Sequence, residues 1–311
     1  MRVYLLPALA LAALAFILLI YEALAGGGGG GNGGAAGPGT PAAGAGAFVC
    51  FIDAGQADSI LLSSGEAVAL IDAGEESGGG ELTSKLRGLG VSKIDALIGT
   101  HPHSDHIGGM PAIIGAFEIG DIYFPRVYNN TRIFEKTLEA VAGAGLKINA
   151  PSPGDALELP GGLKLTFVGP VAEDDAKLND SSLIIKAELA TAGELTLITD
   201  NGAPRAVAAG QGGKFTVLLA GDAEYEAESL LLESGADVRA DVLKAGHHGS
   251  ATSTGADFLA AVDPAFAVIT CGRDNPYGHP DRAVLDLLES RGVTVFRTDE
   301  SGSITFSAKR D

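Results

Sequence analysis

The run Leu97-Ile98-Gly99-Thr100-His101-Pro102-His103-Ser104-Asp105-His106-Ile107-Gly108-Gly109 constrains this chain more than any other feature. An apolar strand runs out into a loop that holds three imidazoles and a carboxylate within six residues, using half of the chain's six histidines. Imidazole and carboxylate together suit zinc, manganese or iron, and a run without cysteine is no thiolate-closed structural site. Open α/β sheets also bind their ligands at the carboxyl ends of strands. The fold must therefore bring further donors to the same edge.

Such donors exist. His247 and His248 stand in Val242-Leu243-Lys244-Ala245-Gly246-His247-His248-Gly249-Ser250, just past an apolar strand, and His279 lies in Tyr277-Gly278-His279-Pro280 after another. Asp222 ends the run Phe215-Thr216-Val217-Leu218-Leu219-Ala220-Gly221. A carboxylate there either caps the helix that follows or bridges two metals. Beside the histidine clusters, bridging is the preferred reading.

Apolar runs at 47–52, 58–63 and 67–71, separated by Gly and Asp, predict an antiparallel meander. Beyond it the pattern predicts strands at 94–98, 163–168, 182–188, 215–220, 240–245 and 265–270. Helices are expected at 81–89, 107–117, 133–143, 224–233, 255–262 and 281–290. Two mixed sheets flanked by helices satisfy that order. With no Trp and 6% aromatics, the core must be built mainly from Ala, Leu, Ile and Val. Cys50 and Cys271, the only cysteines, lie in apolar runs and read as buried small hydrophobes rather than a disulfide.

The first 25 residues differ in kind. Val3 to Tyr21 is apolar and long enough to cross a hydrocarbon core, and Arg2 before it predicts a cytoplasmic N-terminus with the rest of the chain outside. Ala23-Leu24-Ala25 also fits a signal-peptidase site, in which case the protein is secreted after cleavage behind Ala25. Residues 26–46, almost wholly Gly, Ala and Pro, read as a flexible tether, and 47–311 as one folded domain. A net charge of -18 repels polyanions at long range, and no basic stripe interleaved with aromatics is present.

The order and spacing of Gly55-Gln56-Ala57-Asp58-Ser59, Ile71-Asp72-Ala73-Gly74, the histidine run, Asn179-Asp180-Ser181-Ser182-Leu183, Leu219-Ala220-Gly221-Asp222, Gly246-His247-His248-Gly249-Ser250 and Tyr277-Gly278-His279-Pro280 resemble the metallo-β-lactamase superfamily. More narrowly, they resemble the hydrolase domain of ComEC-type DNA-internalisation competence proteins. The resemblance covers about residues 47–307 and implies an α/β, four-layer αββα sandwich with two divalent metal ions, Zn or Mn, between the sheets. It implies that His101 and His103 bind the first metal, that Asp105, His106 and His247 bind the second, and that Asp222 bridges. Many members place another histidine between the first cluster and the bridging Asp, whereas this chain has none between His106 and His247. Asp180 is the expected replacement, with Asn179 as the alternative. Asp58 is assigned to orient a ligand histidine, Ser250 to support the site from nearby, and Asp53 and Asp72 to turns.

The resemblance implies an extracytoplasmic phosphodiesterase or nuclease in which a hydroxide bridging two metals attacks. Asp105, His248 and His279 form the expected catalytic set, the histidines steadying a phosphoryl oxygen or protonating the leaving group. DNA outside the cell or a small phosphodiester is the expected partner, together with the membrane, and the sequence indicates no protein partner. The channel-forming helices of the competence proteins are missing, so uptake is not implied. A lactone, an ester or a phosphocholine-type headgroup is the alternative substrate, and a non-catalytic metal-stabilised binding module is the alternative from another class.

Overall fold

The computed structural model describes residues 46–191, 193–208 and 213–308. The expected anchor at 1–25 and nearly all of the expected tether at 26–46 lie outside the described residues. Among the described residues no helix is long and apolar enough to cross a membrane.

Two sheets carry the fold. The first has nine strands: β1 (Ala47–Phe51), β2 (Ile60–Ser63), β3 (Val68–Ile71), β4 (Lys93–Ile98), β5 (Glu118–Tyr123), β6 (Ile148–Asn149), β10 (Glu194–Thr199), β11 (Arg205–Ala208) and β16 (Ile304–Ala308), in the order β11-β10-β16-β1-β2-β3-β4-β5-β6. The second has seven: β7 (Ala156–Leu159), β8 (Leu163–Gly169), β9 (Ile184–Ala190), β12 (Lys214–Leu219), β13 (Val242–Lys244), β14 (Phe266–Ile269) and β15 (Thr294–Arg297), in the order β15-β14-β13-β12-β9-β8-β7.

Strand periodicity explains the layering, because successive side chains point to opposite faces. In β1, Ala47, Val49 and Phe51 enter the core shared by the two sheets, together with Phe167, Phe215 and Phe306. Phe48 and Cys50, with Ile52 just after the strand, point the other way, into a second core under the helices Gly79–Gly88, Met110–Ala116 and Arg132–Gly143. A third core joins the far face of the second sheet to the helices Tyr225–Glu233, Ala256–Val262 and Arg282–Ser290. Burial on both faces makes β1 an unbroken apolar run, and the result is the expected sandwich of four layers. Cys50 and Cys271 are free and sit in opposite outer cores, in line with the buried-hydrophobe expectation.

The meander from β1 to β3 is antiparallel as predicted. From β3 through β6 the pairing is parallel, and so is that from β12 through β15, which lays the carboxyl ends of these strands along one edge in each sheet.

Two local differences from the sequence expectation have clear causes. The helix expected over 107–117 is split into Ser104–Ile107 and Met110–Ala116. Gly108 and Gly109 lie at the break, and Gly109 N donates to Gly74 O at 2.9 Å, pulling the chain onto the loop after β3. The second difference is in the strands: the sequence pattern did not single out β5, β6, β7, β10, β11, β15 or β16, and β16 fills the middle of the first sheet between β10 and β1.

The close approach at Gly109 yields a prediction. A Cβ there stands 2.1 Å from the Ala73 carbonyl oxygen, whereas one at Gly115, in the next helix, meets nothing within 4 Å. Gly109→Ala is expected to lower the unfolding free energy by about 1–3 kcal/mol. Gly115→Ala is expected to be neutral or to stabilise by up to about 1 kcal/mol. Urea midpoints of the two variants check this, and equal midpoints contradict it.

Candidate metal centre and active site

The strand ends place the site. β4 leads into Thr100 and His101, β3 into Asp72, β12 into Asp222, β13 into His247 and His248, and β14 into Thr270. Main-chain hydrogen bonds then tie these loops together. Asp58 N donates to Asp105 O at 3.0 Å, Ala73 N to His106 O at 2.7 Å, and Gly74 N to Asp58 O at 2.8 Å. Leu183 N to Thr100 O at 2.8 Å joins one sheet's loop to the other's.

Asp222 stands at the focus. Its Oδ2 lies 3.3 Å from His106 Nε2, 3.6 Å from His248 Nε2, 3.7 Å from His247 Nε2 and 3.8 Å from His101 Nε2. Asp105 Oδ2 is 3.2 Å from His248 Nε2 and 3.8 Å from His106 Nε2, so Asp105, His106, Asp222 and His248 form one compact donor group. On the other side of Asp222, His101 Nε2 and His103 Nδ1 face each other at 2.9 Å.

The electrostatics favour cations here. Burial alone raises the Asp222 pKa, yet the His106 and His248 imidazoles hold it well below the usual carboxylate range. Burial works against charge on His106 and His248, but Asp222 with Asp72 raises the first well above its ordinary value, and Asp222 with Asp58 raises the second to about 9. A cluster that draws protons onto two buried imidazoles is short of positive charge. His106 Nε2 and Asp222 Oδ1 are buried without a hydrogen bond, a costly arrangement that a coordinated cation relieves. The donor set and its unsatisfied atoms therefore fit divalent metal ions.

The ring orientations are fixed from behind. His106 Nδ1 lies 2.7 Å from Asp72 Oδ2, and Asp72 also accepts from Thr100 N and Thr100 Oγ1, each at 2.8 Å. His248 Nδ1 donates to Thr270 O at 2.8 Å, with Asp58 Oδ1 at 3.4 Å. Asp58 also accepts from Thr270 Oγ1 and pairs with Lys244 Nζ at 2.6 Å. Lys244 is fully buried, bonds Gly221 O at 3.0 Å and lies 3.7 Å from Asp222 Oδ1.

Against the sequence expectations, His101, His103, Asp105, His106, Asp222, His247, His248 and His279 all gather in one place, and all but His101 and His106 line a cavity of about 360 Å³. The two adjacent histidines meet different neighbours. His248, expected to handle protons, turns into the compact donor group, while His247, expected to complete it, sits at its margin with Nδ1 on Glu224 Oε1 at 2.9 Å. The cause is the backbone: His247 and His248 both have positive φ, 45° and 53°, which reverses the chain within two residues.

Asp180, the expected replacement ligand, meets the main chain of a helix. Its Oδ1 accepts from Glu224 N at 3.1 Å and Ala227 N at 3.4 Å, at the start of the helix Tyr225–Glu233, so it serves the helix terminus. Asn179, the alternative, lines the cavity and has a buried Oδ1 without a hydrogen bond. Ser250 bonds Thr252 Oγ1 at 2.9 Å rather than a ring of the cluster.

Three participants were missed in the sequence: Asp72, read as a turn residue; Lys244, passed over; and Glu224, which holds His247. Asp72 carried a signal, an acid directly after a buried strand. So did Lys244, a lone cation in an apolar strand.

The chain carries a metallo-β-lactamase superfamily domain, for residues 52–187 match the family model of that name. Its relatives include the ComE operon protein 3 of Bacillus subtilis (strain 168), 32% identical over 72% of this chain and 26% of the relative. They also include the competence protein ComA of Neisseria gonorrhoeae, 29% identical over 83% of this chain and 32% of the relative. The chain thus spans about a quarter to a third of these relatives' length. In fold it is similar to a solved mutant of the CmlA β-hydroxylase, with a TM-score of 0.52 at 13% identity, covering 84% of this chain and 54% of that one. That likeness concerns the fold alone, since function resides in sites rather than folds.

One acid anchors the loop that carries both adjacent histidines. The buried Glu228 carboxylate accepts from Thr254 N and Gly255 N. Burial pushes its pKa from 4.5 up to about 7, against the pull of those two donors. Between these values the folded state keeps a proton that the unfolded chain releases, so this group makes stability fall as pH rises through that window. The loss expected is ~3 kcal/mol. Thermal unfolding at pH 5 and pH 8 checks this: Glu228→Gln is to be less pH-sensitive than wild type, and an unchanged pH slope contradicts the assignment.

Proposed function

We propose that the protein is a dinuclear metal-dependent phosphodiesterase acting on DNA or on a smaller phosphodiester. The observation that carries this reading is the position of Asp222 Oδ2, within 3.8 Å of four imidazole nitrogens drawn from both sheets. His101, His103 and Asp222 would hold one ion with Asn179 beside them, and Asp105, His106, His248 and Asp222 would hold the other. Divalent ions in such a site supply Lewis acidity and activate water at neutral pH.

The protein's own groups do the rest. Asp72 fixes His106 with Nδ1 bonded, leaving Nε2 free as a donor atom, and Thr270 O does the same for His248. His279 lines the cavity 5.7 Å, centroid to centroid, from the His247 ring. Burial, then the neighbouring His247 and His248, lower its pKa, which favours the neutral imidazole, a proton acceptor.

The name of one relative, the competence protein ComA, connects the reading to competence. Placement outside the cytoplasm, on an anchor formed by residues 1–25 and a tether formed by 26–46, completes it and rests on sequence pattern. A second reading, hydrolysis of a small ester or phosphocholine-type substrate, is favoured by the charge: among the described residues no Lys or Arg lines the main cavity.

Elemental analysis of the purified domain is expected to find two divalent ions per chain, with loss of one or both in Asp222→Ala. Asp72→Asn is expected to lower metal affinity or activity by about 10–100-fold. Zinc- and manganese-loaded protein is to be assayed on plasmid DNA, a dinucleotide and an ester panel. Metal content with ester cleavage alone supports the second reading, and a metal-free chain defeats both.

A further inference from the structure

Six large hydrophobic side chains are exposed among the described residues, and three of them are tyrosines close to the site: Tyr128 at 58%, Tyr225 at 48% and Tyr277 at 70%. Tyr277 lines the main cavity beside His279 and the donor cluster. Tyr225 lines an adjoining cavity of about 590 Å³ that shares His103 and Asn179 with the first. Tyr128 directly precedes the wall residue Asn129.

Tyr277 is held in place although it is exposed. Its ring stacks on His279, with centroids 5.8 Å apart and planes within 17°. The loop that presents it is closed by Asn275, whose Nδ2 donates to Gly272 O at 2.9 Å and to His279 O at 2.6 Å, while its Oδ1 accepts from His279 N at 3.0 Å. A pre-positioned aromatic ring loses little freedom when a flat ligand settles on it.

The charge around it selects the ligand. Among the described residues no Lys or Arg lines the main cavity. Among the described residues the one Lys or Arg lining the adjoining cavity, Lys177, pairs with Glu226 at 2.5 Å, beside Asp175, Asp180 and Glu224. Binding along a nucleic-acid backbone relies on cations that meet successive phosphates, whereas base–aromatic stacking does not. An extended polyanion therefore finds repulsion here, and a ligand with one reacting phosphate and a flat ring finds a platform.

We infer that Tyr277 forms a stacking subsite for the nucleobase of a short phosphodiester, a dinucleotide or a strand end, next to the metal centre. This deepens the phosphodiesterase reading and rests on it for the reaction, but base binding can be measured separately. Calorimetric titration of zinc-loaded protein with thymidine 5′-monophosphate and with deoxyribose 5-phosphate isolates the base. The nucleotide is expected to bind about tenfold more tightly, a difference of about 1.4 kcal/mol. Tyr277→Ala is expected to abolish that preference and Tyr277→Phe to keep it, and Tyr277→Ala is to raise KM for the dinucleotide about tenfold with kcat little changed. Equal binding of the two probes by wild type, or a preference that survives in Tyr277→Ala, overturns the subsite. A base preference that depends on Tyr277 in a protein that cleaves no phosphodiester supports the subsite and defeats the phosphodiesterase reading instead.

Discussion

The buried pair Lys244–Asp58 is the contact on which the site depends. Lys244 ends β13 in one sheet, and Asp58 lies in the loop after β1 in the other, so their 2.6 Å contact couples the two halves of the sandwich where the donors meet. Removing one partner of a buried ion pair costs about 3–5 kcal/mol, because the other charge is left uncompensated. Here the pair has further neighbours. Asp58 stands 3.4 Å from His248 Nδ1, and Lys244 bonds Gly221 O, one residue before Asp222. A shift at the pair therefore reaches two members of the donor cluster at once.

How much of this was legible in the sequence follows from how local each feature is. The run from His101 to His106 declared itself because its donors are packed into one loop, and β1 to β3 were readable as short apolar runs between turns. The placement of His247 and His248 was not readable, since it depends on two consecutive residues of positive φ, which non-glycine residues adopt uncommonly. β16 was hidden for a different reason. Its pairing partners β1 and β10 lie far away in sequence, and a short run such as Ile304–Ala308 takes on meaning only between them.

Buried charge was the largest omission. Asp72 and Lys244 are as deeply enclosed as the leucines around them, so a reading that sorts charged residues to the surface passes over both. Asp180 has the chemistry and neighbourhood of a ligand, and the backbone N–H groups at the start of a helix also reach its Oδ1. Asn179, one residue earlier, meets the cavity instead.

The hydrogen bonds from Asp58 N to Asp105 O, from Ala73 N to His106 O and from Gly74 N to Asp58 O join main chain to main chain. Such bonds are indifferent to the side chains carried by the residues they join. The loops can hold their shape while a donor is exchanged, and a chain that lacks a histidine between His106 and His247 can still assemble the rest of the site. A scaffold of this kind lets reactivity drift one position at a time without asking the architecture to be rebuilt.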